Sequence, residues 1–248
     1  MATIGVFDSG VGGLSVLKEL RALLPDERYV YFADTAFCPY GGKPAQTVID
    51  RCRQICSFLL SEGSDVIVVA CNTATGAAIE ILRKEFDLPF VGMEPAVKPA
   101  ALSSVTGTIG ILATAGTLKY HKYLETKSHF SSMVNIVEHV GEGFVELVES
   151  AEISGPHAHS VVAHSLQPLL DAGADRIVLG CTHYPFLSGI MSDIAGPDVE
   201  IINPAPAVAR RLQSVLKGIN CPRTSAAGVE YHASGSREVL DRLVEIIL

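Results

Sequence analysis

Two cysteines, Cys71 and Cys181, stand at the same place in a duplicated segment of this chain. The segment 63–73 reads Gly-Ser-Asp-Val-Ile-Val-Val-Ala-Cys-Asn-Thr, and the segment 173–183 reads Gly-Ala-Asp-Arg-Ile-Val-Leu-Gly-Cys-Thr-His. In each copy an apolar run typical of a buried strand ends at the cysteine, and small polar residues and a helical pattern follow. The pattern predicts a thiol at each strand-to-helix junction, where free N–H groups stabilise a thiolate and bind carboxylates.

A lone cysteine of this kind is more often a small buried hydrophobe than a nucleophile, but the duplication favours chemistry. Two thiols related by a pseudo-two-fold suit a reaction that acts on both faces of one small acid. His183 follows Cys181 by two residues, and its imidazole can exchange a proton with that thiol. No histidine lies near Cys71 in the sequence, so we expect Asp8, at the end of the first predicted strand, to assist it.

Composition favours a small-molecule function. The formal net charge is −8 and no cluster of lysine or arginine is present, which argues against nucleic acid or an anionic membrane as the main partner. No apolar run approaches the ~18 residues that a membrane span needs, and no signal-peptide pattern is visible. We therefore expect a cytoplasmic protein whose six cysteines are thiols, because a chain of 248 residues with 48% apolar content needs no disulfide framework.

The order of patterns predicts an α/β fold. Strand patterns lie at 3–7, 29–32, 65–70, 108–112, 134–137, 176–179 and 199–202, and helical patterns near 12–24, 44–62, 73–86, 117–127, 157–172 and 205–217. Such alternation is typical of mainly parallel sheets flanked by helices. The repeat predicts two pseudo-symmetric α/β domains, 1–96 with 207–248 and 97–206. Ligands bind beyond the carboxyl ends of such strands, so we expect the active site in the cleft between the domains.

Other patterns carry less chemistry. Gly10, Gly12 and Gly13 lack the full spacing of a dinucleotide site and predict a tight turn. Tyr40, in a glycine-rich loop, can offer its hydroxyl to a ligand. Cys52 and Cys56 are four residues apart on a predicted helix, where core packing is the better interpretation than a metal site. No lysine lies in a recognisable pyridoxal-phosphate context, so we expect neither an organic cofactor nor a metal.

Four motifs together resemble those of a known family. They are Phe7-Asp-Ser-Gly-Val-Gly-Gly13, Asp34-Thr35 with Pro39-Tyr40-Gly41, Ala70-Cys-Asn-Thr-Ala74 and Gly180-Cys-Thr-His-Tyr-Pro185. Their order and spacing resemble the glutamate racemases of the cofactor-independent aspartate/glutamate racemase superfamily. The resemblance implies an isomerase that interconverts L- and D-glutamate by 1,1-proton transfer and supplies D-glutamate for peptidoglycan, hence for cell-wall biogenesis and cell shape.

The resemblance also implies roles for individual residues. Cys71 matches the base that acts on D-glutamate, helped by Asp8, and Cys181 the base that acts on L-glutamate, helped by His183. The positions that match substrate-binding residues are Asp8, Ser9, Tyr40, Gly41, Asn72, Thr73, Thr114, Thr117, Thr182 and His183. Glu149 matches an acidic residue near the cleft, although a solvated helix carboxylate is an equally good interpretation. The expected partner is glutamate, with a homodimer as a possibility.

The chain departs from the family pattern at Phe37, where arginine is usual, at Tyr120, where serine is usual, and at Gly141-Glu142-Gly143, where Cys-Pro is usual. These departures affect substrate fine-tuning and loop geometry. Three alternatives stay open. One is a racemase for aspartate or a related amino acid. Another is a non-catalytic two-lobed binding protein for an acidic metabolite, and the last is a metal-dependent hydrolase or lyase with Cys71, Cys181 and His183 as ligands.

Overall fold

The computed structural model describes residues 1–219 and 226–247, so Cys221 lies outside the described residues. The chain forms two compact units. The first consists of Met1–Met93 and Ala205–Leu248, and the second of Glu94–Pro204. The domain boundaries expected from the sequence, 1–96 with 207–248 and 97–206, stay predictions.

The first unit is built on a five-stranded parallel sheet. Numbered along the whole chain, its strands are β1 (Thr3–Asp8), β2 (Arg28–Ala33), β3 (Val66–Val69), β4 (Phe90–Gly92) and β9 (Gly228–Ala233), in the order β4-β3-β1-β2-β9. Its helices are α1 (Leu14–Leu23), α2 (Ala45–Ser61), α3 (Asn72–Glu85), α9 (Ala205–Leu216) and α10 (Glu238–Ile247). A 3₁₀ turn at Thr35–Phe37 follows β2.

The second unit is built on a four-stranded parallel sheet. Its strands are β5 (Thr108–Ala113), β6 (Asn135–Val140), β7 (Arg176–Gly180) and β8 (Glu200–Ile202), in the order β6-β5-β7-β8. Its helices are α4 (Val97–Ser103), α5 (His121–Phe130), α6 (Phe144–Glu149), α7 (Pro156–Asp171) and α8 (Ser188–Ala195). Two 3₁₀ segments, Thr117–Lys119 and Tyr184–Leu187, follow β5 and β7.

The two sheets share one connectivity. In the first unit β1 lies between β2 and β3, and in the second β5 lies between β6 and β7. The strand that precedes each cysteine, β3 or β7, therefore pairs with the first strand of its unit, with Phe7 opposite Val69 and Ala113 opposite Gly180. The predicted fold class, two α/β units with parallel sheets and flanking helices, is confirmed.

Several short elements were missed by the sequence patterns. Strand β4 has only three residues, too few for a period to be read, and the seven-residue helix α4 contains Pro99, a residue that weakens a helical pattern. Edge strand β9 contains only exposed and partly buried residues, so its sequence lacks the apolar run of a buried strand. The helix predicted over 117–127 is wrong at its start, because a 3₁₀ turn occupies Thr117–Lys119 and α5 begins at His121.

Helix α2 packs against the sheet of the first unit through one buried face. Its buried side chains are Val48, Ile49, Cys52, Ile55, Cys56 and Leu59, which recur every three or four residues and so form one stripe along the helix. The stripe packs in the same buried cluster as Phe7, Val69 and Cys71. Cys52 and Cys56 are therefore core residues, as predicted. None of the helices among residues 1–219 and 226–247 combines the length and apolarity that crossing a bilayer requires.

Candidate active site

Cys71 caps the helix that follows β3. Its backbone is extended, with φ −143° and ψ 122°, and helix α3 begins at the next residue. The N–H of Ala74, in the first turn, donates to the Cys71 Sγ at 3.4 Å. The thiol is only 5% exposed. A sulfur that accepts from a helix N-terminus is stabilised as thiolate by that bond and by the helix dipole.

Asp8 lies fully buried at the carboxyl end of β1, beside the strand that leads to Cys71. Its Oδ2 accepts the N–H of Gly13 at 2.8 Å. Ser9 links the two groups, because the Cys71 thiol donates to the Ser9 hydroxyl at 3.6 Å and that hydroxyl donates to Asp8 Oδ1 at 3.4 Å. The first unit thus contains a chain of thiol, hydroxyl and carboxylate.

Asn72 stands out among the buried polar groups next to Cys71. Its side chain is 5% exposed, and neither its amide oxygen nor its amide nitrogen has a hydrogen-bond partner within residues 1–219 and 226–247. A buried amide left unpaired costs free energy unless a ligand or water satisfies it. The adjoining Thr73 is also buried. Both residues begin α3, where the first N–H groups of a helix are suited to a carboxylate.

Tyr40 lies in the buried cluster that includes Cys71, and its hydroxyl has a partner within the protein. It donates to Asp34 Oδ2 at 2.5 Å. Burial, together with this bond, raises the pKa of Tyr40 far above its usual range. The proton of this hydroxyl is therefore directed at Asp34, and a ligand-binding role for Tyr40 and Gly41 stays a prediction.

The second unit holds the other thiol, with an imidazole and a carboxylate. Cys181 is 7% exposed, and its Sγ lies 3.7 Å from Nδ1 of the buried His183. The Nε2 of His183 lies 2.6 Å from Oε1 of Glu149, at the end of α6. When Nε2 carries its proton toward Glu149, Nδ1 is left to accept the thiol proton. The arrangement is again a chain from thiol to carboxylate.

The residues around Cys181, His183 and Glu149 are polar or closely packed. The Thr114 and Thr117 hydroxyls lie 3.0 Å apart, and the N–H of Thr117 donates to Thr114 Oγ1 at 3.2 Å. Tyr184, which follows His183, donates its hydroxyl to the Gly141 carbonyl at 3.3 Å. A Cβ at Gly141 would lie 2.7 Å from that hydroxyl oxygen, so the close approach of Tyr184 suits glycine at this position.

The structure distributes the predicted residues over the two units. Asp8, Ser9, Tyr40, Gly41, Cys71, Asn72 and Thr73 belong to the first, and Thr114, Thr117, Glu149, Cys181, Thr182 and His183 to the second. One expectation is corrected: Cys71 caps an α-helix directly, whereas Cys181 is followed by a turn and the 3₁₀ segment Tyr184–Leu187 before α8 begins. Sequence reasoning missed the link from Ser9 to Cys71, for which the adjacency of Ser9 to Asp8 is the only signal in the chain.

Comparison with known proteins identifies the family. The model of the Asp/Glu/Hydantoin racemase family matches residues 4–212. The chain belongs to the Asp/Glu/Hydantoin racemase family. This racemase is 47% identical over 246 residues to a glutamate racemase of Methylococcus capsulatus, with 98% of this chain and 91% of that protein covered. It is 42% identical to one of Pseudomonas aeruginosa over 99% of this chain and 94% of that protein.

Solved structures agree with that assignment. The structure of Escherichia coli glutamate racemase in complex with L-glutamate and the activator UDP-MurNAc-Ala superposes with a TM-score of 0.90 at 33% identity, covering 99% of this chain and 93% of that one. Glutamate racemase of Francisella tularensis in complex with D-glutamate gives a TM-score of 0.82 at 29% identity, covering 98% of this chain and 94% of that one. The chain described here is therefore an enzyme of the racemase class.

Proposed function

We propose that this racemase interconverts L- and D-glutamate by two-base proton transfer, with Cys181 acting on L-glutamate and Cys71 on D-glutamate, and without an organic cofactor. One observation carries the proposal: each unit holds a buried thiol after the equivalent strand of its sheet, and each thiol leads through one polar group to a carboxylate. The glutamate racemases that resemble this chain at 42–47% identity support glutamate as the substrate.

The chemistry explains why two thiols are needed. Racemisation removes a proton from one face of the α-carbon and delivers another to the opposite face. One base must therefore be a thiolate at the moment when the other is a thiol.

The assisting groups differ between the two thiols. Asp8 draws the Cys71 proton through the Ser9 hydroxyl, and the Ala74 N–H stabilises the resulting thiolate. His183 takes the Cys181 proton at Nδ1, and Glu149 holds the ring in that tautomer and stabilises the imidazolium. Asp8 and His183 are catalytic in this account, and Glu149 positions His183.

The substrate needs donors for its carboxylates and for the charge that develops on the carbanion. We assign this role to the unpaired amide of Asn72, the start of α3 at Thr73 and the backbone of Tyr40 and Gly41. In the second unit we assign it to Thr114, Thr117 and Thr182. Ser9 binds substrate as well as linking Asp8 to Cys71. Fixed donors in a site shielded from water stabilise developing charge more than water does.

The biological part of the proposal is the supply of D-glutamate for peptidoglycan in the cytoplasm. It accords with the net charge of −8, which disfavours nucleic acid and anionic membranes as partners. A homodimer is compatible with this function and is not required by it.

Circular dichroism of L-glutamate incubated with the purified protein, without added cofactor, tests the proposal. The wild-type protein should abolish the optical signal. Cys71→Ala and Cys181→Ala should each slow both directions by several orders of magnitude. Cys52→Ala and Cys56→Ala are the matched controls and should stay within a few-fold, because burial raises the pKa of both thiols, that of Cys56 to about 12. If Cys71 or Cys181 proves dispensable, the two-base assignment is wrong.

Parallel measurements separate the alternatives. L-Aspartate in the same assay distinguishes a racemase for another amino acid, and glutamate should react at least an order of magnitude faster. A binding protein would hold glutamate equally well in Cys71→Ala and never turn it over. A metal-dependent enzyme would lose its turnover in chelator, whereas the proposed thiol chemistry should continue unchanged.

A further inference from the structure

Asp34, which directly follows β2, is a fully buried carboxylate with three side-chain hydrogen bonds. Besides the Tyr40 hydroxyl, it accepts two N–H groups from one guanidinium: Arg51 Nε donates to Oδ2 at 3.0 Å and Nη2 to Oδ1 at 2.6 Å. Such paired bonds fix both position and plane, which a single ammonium cannot do. Asp34 thereby ties the loop that carries Tyr40 to helix α2, which carries Arg51.

The guanidinium of Arg51 also stacks on the ring of Phe37. Its Cζ lies 3.9 Å from the centre of the Phe37 ring, a cation–π contact. The resemblance to the glutamate racemases implies an arginine at position 37, where this chain has phenylalanine. An arginine there would repel Arg51, whereas the phenyl ring supports it. The departure therefore has a structural consequence next to the Tyr40 loop.

The start of the same loop is anchored to the β9–α10 connection. The N–H of Ala36 donates to Ser234 Oγ at 3.1 Å, and the N–H of Gly235 donates to Thr35 Oγ1 at 3.1 Å. A Cβ at Gly235 would lie 3.0 Å from that Thr35 oxygen, so the close approach suits glycine. With the start fixed in this way, the Asp34–Arg51 pair determines where the Tyr40 end of the loop lies.

We propose that Arg51 is a positioning residue for substrate binding. Through Asp34 it holds the Tyr40 side chain, and it thus sets the backbone of Tyr40 and Gly41 that receives the substrate. This inference rests on the proposed function, which assigns those two residues to glutamate binding. Arg51 is placed to act on ground-state binding through the loop, so its loss should raise KM and leave kcat nearly unchanged.

The variant Arg51→Lys tests this directly, because it keeps the charge and removes the paired bonds and the flat stack. We expect KM for L-glutamate to rise roughly ten-fold or more, with kcat within about three-fold of wild type. Arg53→Lys is the matched control. Arg53 lies on the same helix and makes an equally paired contact with Glu85, at 2.8 and 2.7 Å, but at an exposed site away from the loop. Its KM should stay within about two-fold.

A double-mutant cycle distinguishes an effect of Arg51 that is transmitted through Tyr40 from a general loss of structure. If Arg51 acts through Tyr40, Arg51→Lys combined with Tyr40→Phe should raise KM by clearly less than the product of the two single effects. Phe37→Leu removes only the stacked ring and should raise KM in the same direction, so it tests the idea even if Arg51→Lys does not fold.

Two outcomes would overturn the inference. One is an active wild type whose Arg51→Lys and Phe37→Leu variants both keep KM within two-fold. The other is a fully multiplicative double mutant. A wild type without glutamate turnover would instead refute the proposed function.

Discussion

The thiols of Cys71 and Cys181 have different chemical groups as hydrogen-bonding neighbours. Cys71 has a hydroxyl and a carboxylate, Ser9 and Asp8, whereas Cys181 has an imidazole and a carboxylate, His183 and Glu149. Asp8 and His183 could be proposed from sequence because each stands at a strand end or beside its cysteine. Glu149 could not be assigned, because it is 34 residues from His183 and sequence alone does not show which face of a short helix is turned toward it.

At this scale we predict that Asp8→Asn and Glu149→Gln lower kcat by roughly 10²–10⁴-fold and alter glutamate affinity far less, since the proposed function assigns both residues to proton transfer. L- and D-glutamate have equal free energies, so kcat/KM must fall by one factor in both directions. Glu152→Gln is the matched control, because Glu152 also contacts a histidine, His157, at 2.8 Å, but on the surface. Steady-state rates and ligand affinities of the three variants check this, and losses due to affinity alone would reassign Asp8 and Glu149 to binding.

At the scale of elements, the junctions between strands and helices determine where the candidate site residues lie. Gly13, which precedes α1, has ordinary helical dihedrals, φ −59° and ψ −13°, so glycine is not needed there for backbone freedom. It is needed for space: a Cβ would lie 2.7 Å from the Cβ of Asp8 and 2.9 Å from the Tyr31 hydroxyl oxygen. The sequence predicted a tight glycine turn at this position, but it could not show which side chain the glycine accommodates.

We therefore predict that Gly13→Ala destabilises the protein by about 1–3 kcal/mol and lowers kcat, because the added methyl group displaces Asp8. Gly189→Ala, within α8, is the control. A Cβ there meets nothing within 4 Å, so alanine should stabilise the helix by about 0.4–1 kcal/mol and leave kcat unchanged. Urea denaturation and steady-state rates give both quantities. Equal stability changes in the two variants would contradict the packing argument.

At the scale of the whole molecule, the repeat in the sequence corresponds to a repeated sheet connectivity, with each cysteine after the third strand of its unit. The strands β1, β3, β5 and β7 could be predicted because each is almost entirely buried and therefore reads as an apolar run. Strands β4 and β9 could not, since one is too short and the other too exposed for its pattern to be distinctive. The polar links from thiol to carboxylate depend on this packing, so they became visible only in the fold.

The central claim is that two bases act on opposite faces of one α-carbon, and the fate of the proton tests it most directly. L-Glutamate converted in D₂O should give D-glutamate that carries deuterium at the α-carbon, because Cys71 delivers a solvent-derived deuteron while Cys181 keeps the proton it removed. The remaining L-glutamate should stay largely protiated during the first few per cent of conversion, since Cys181 returns the same proton when the carbanion collapses backward. Proton NMR of L- and D-glutamate, recorded after the two enantiomers have been separated, measures this. D-Glutamate that retains its original α-hydrogen would show a single base serving both faces and would contradict the account.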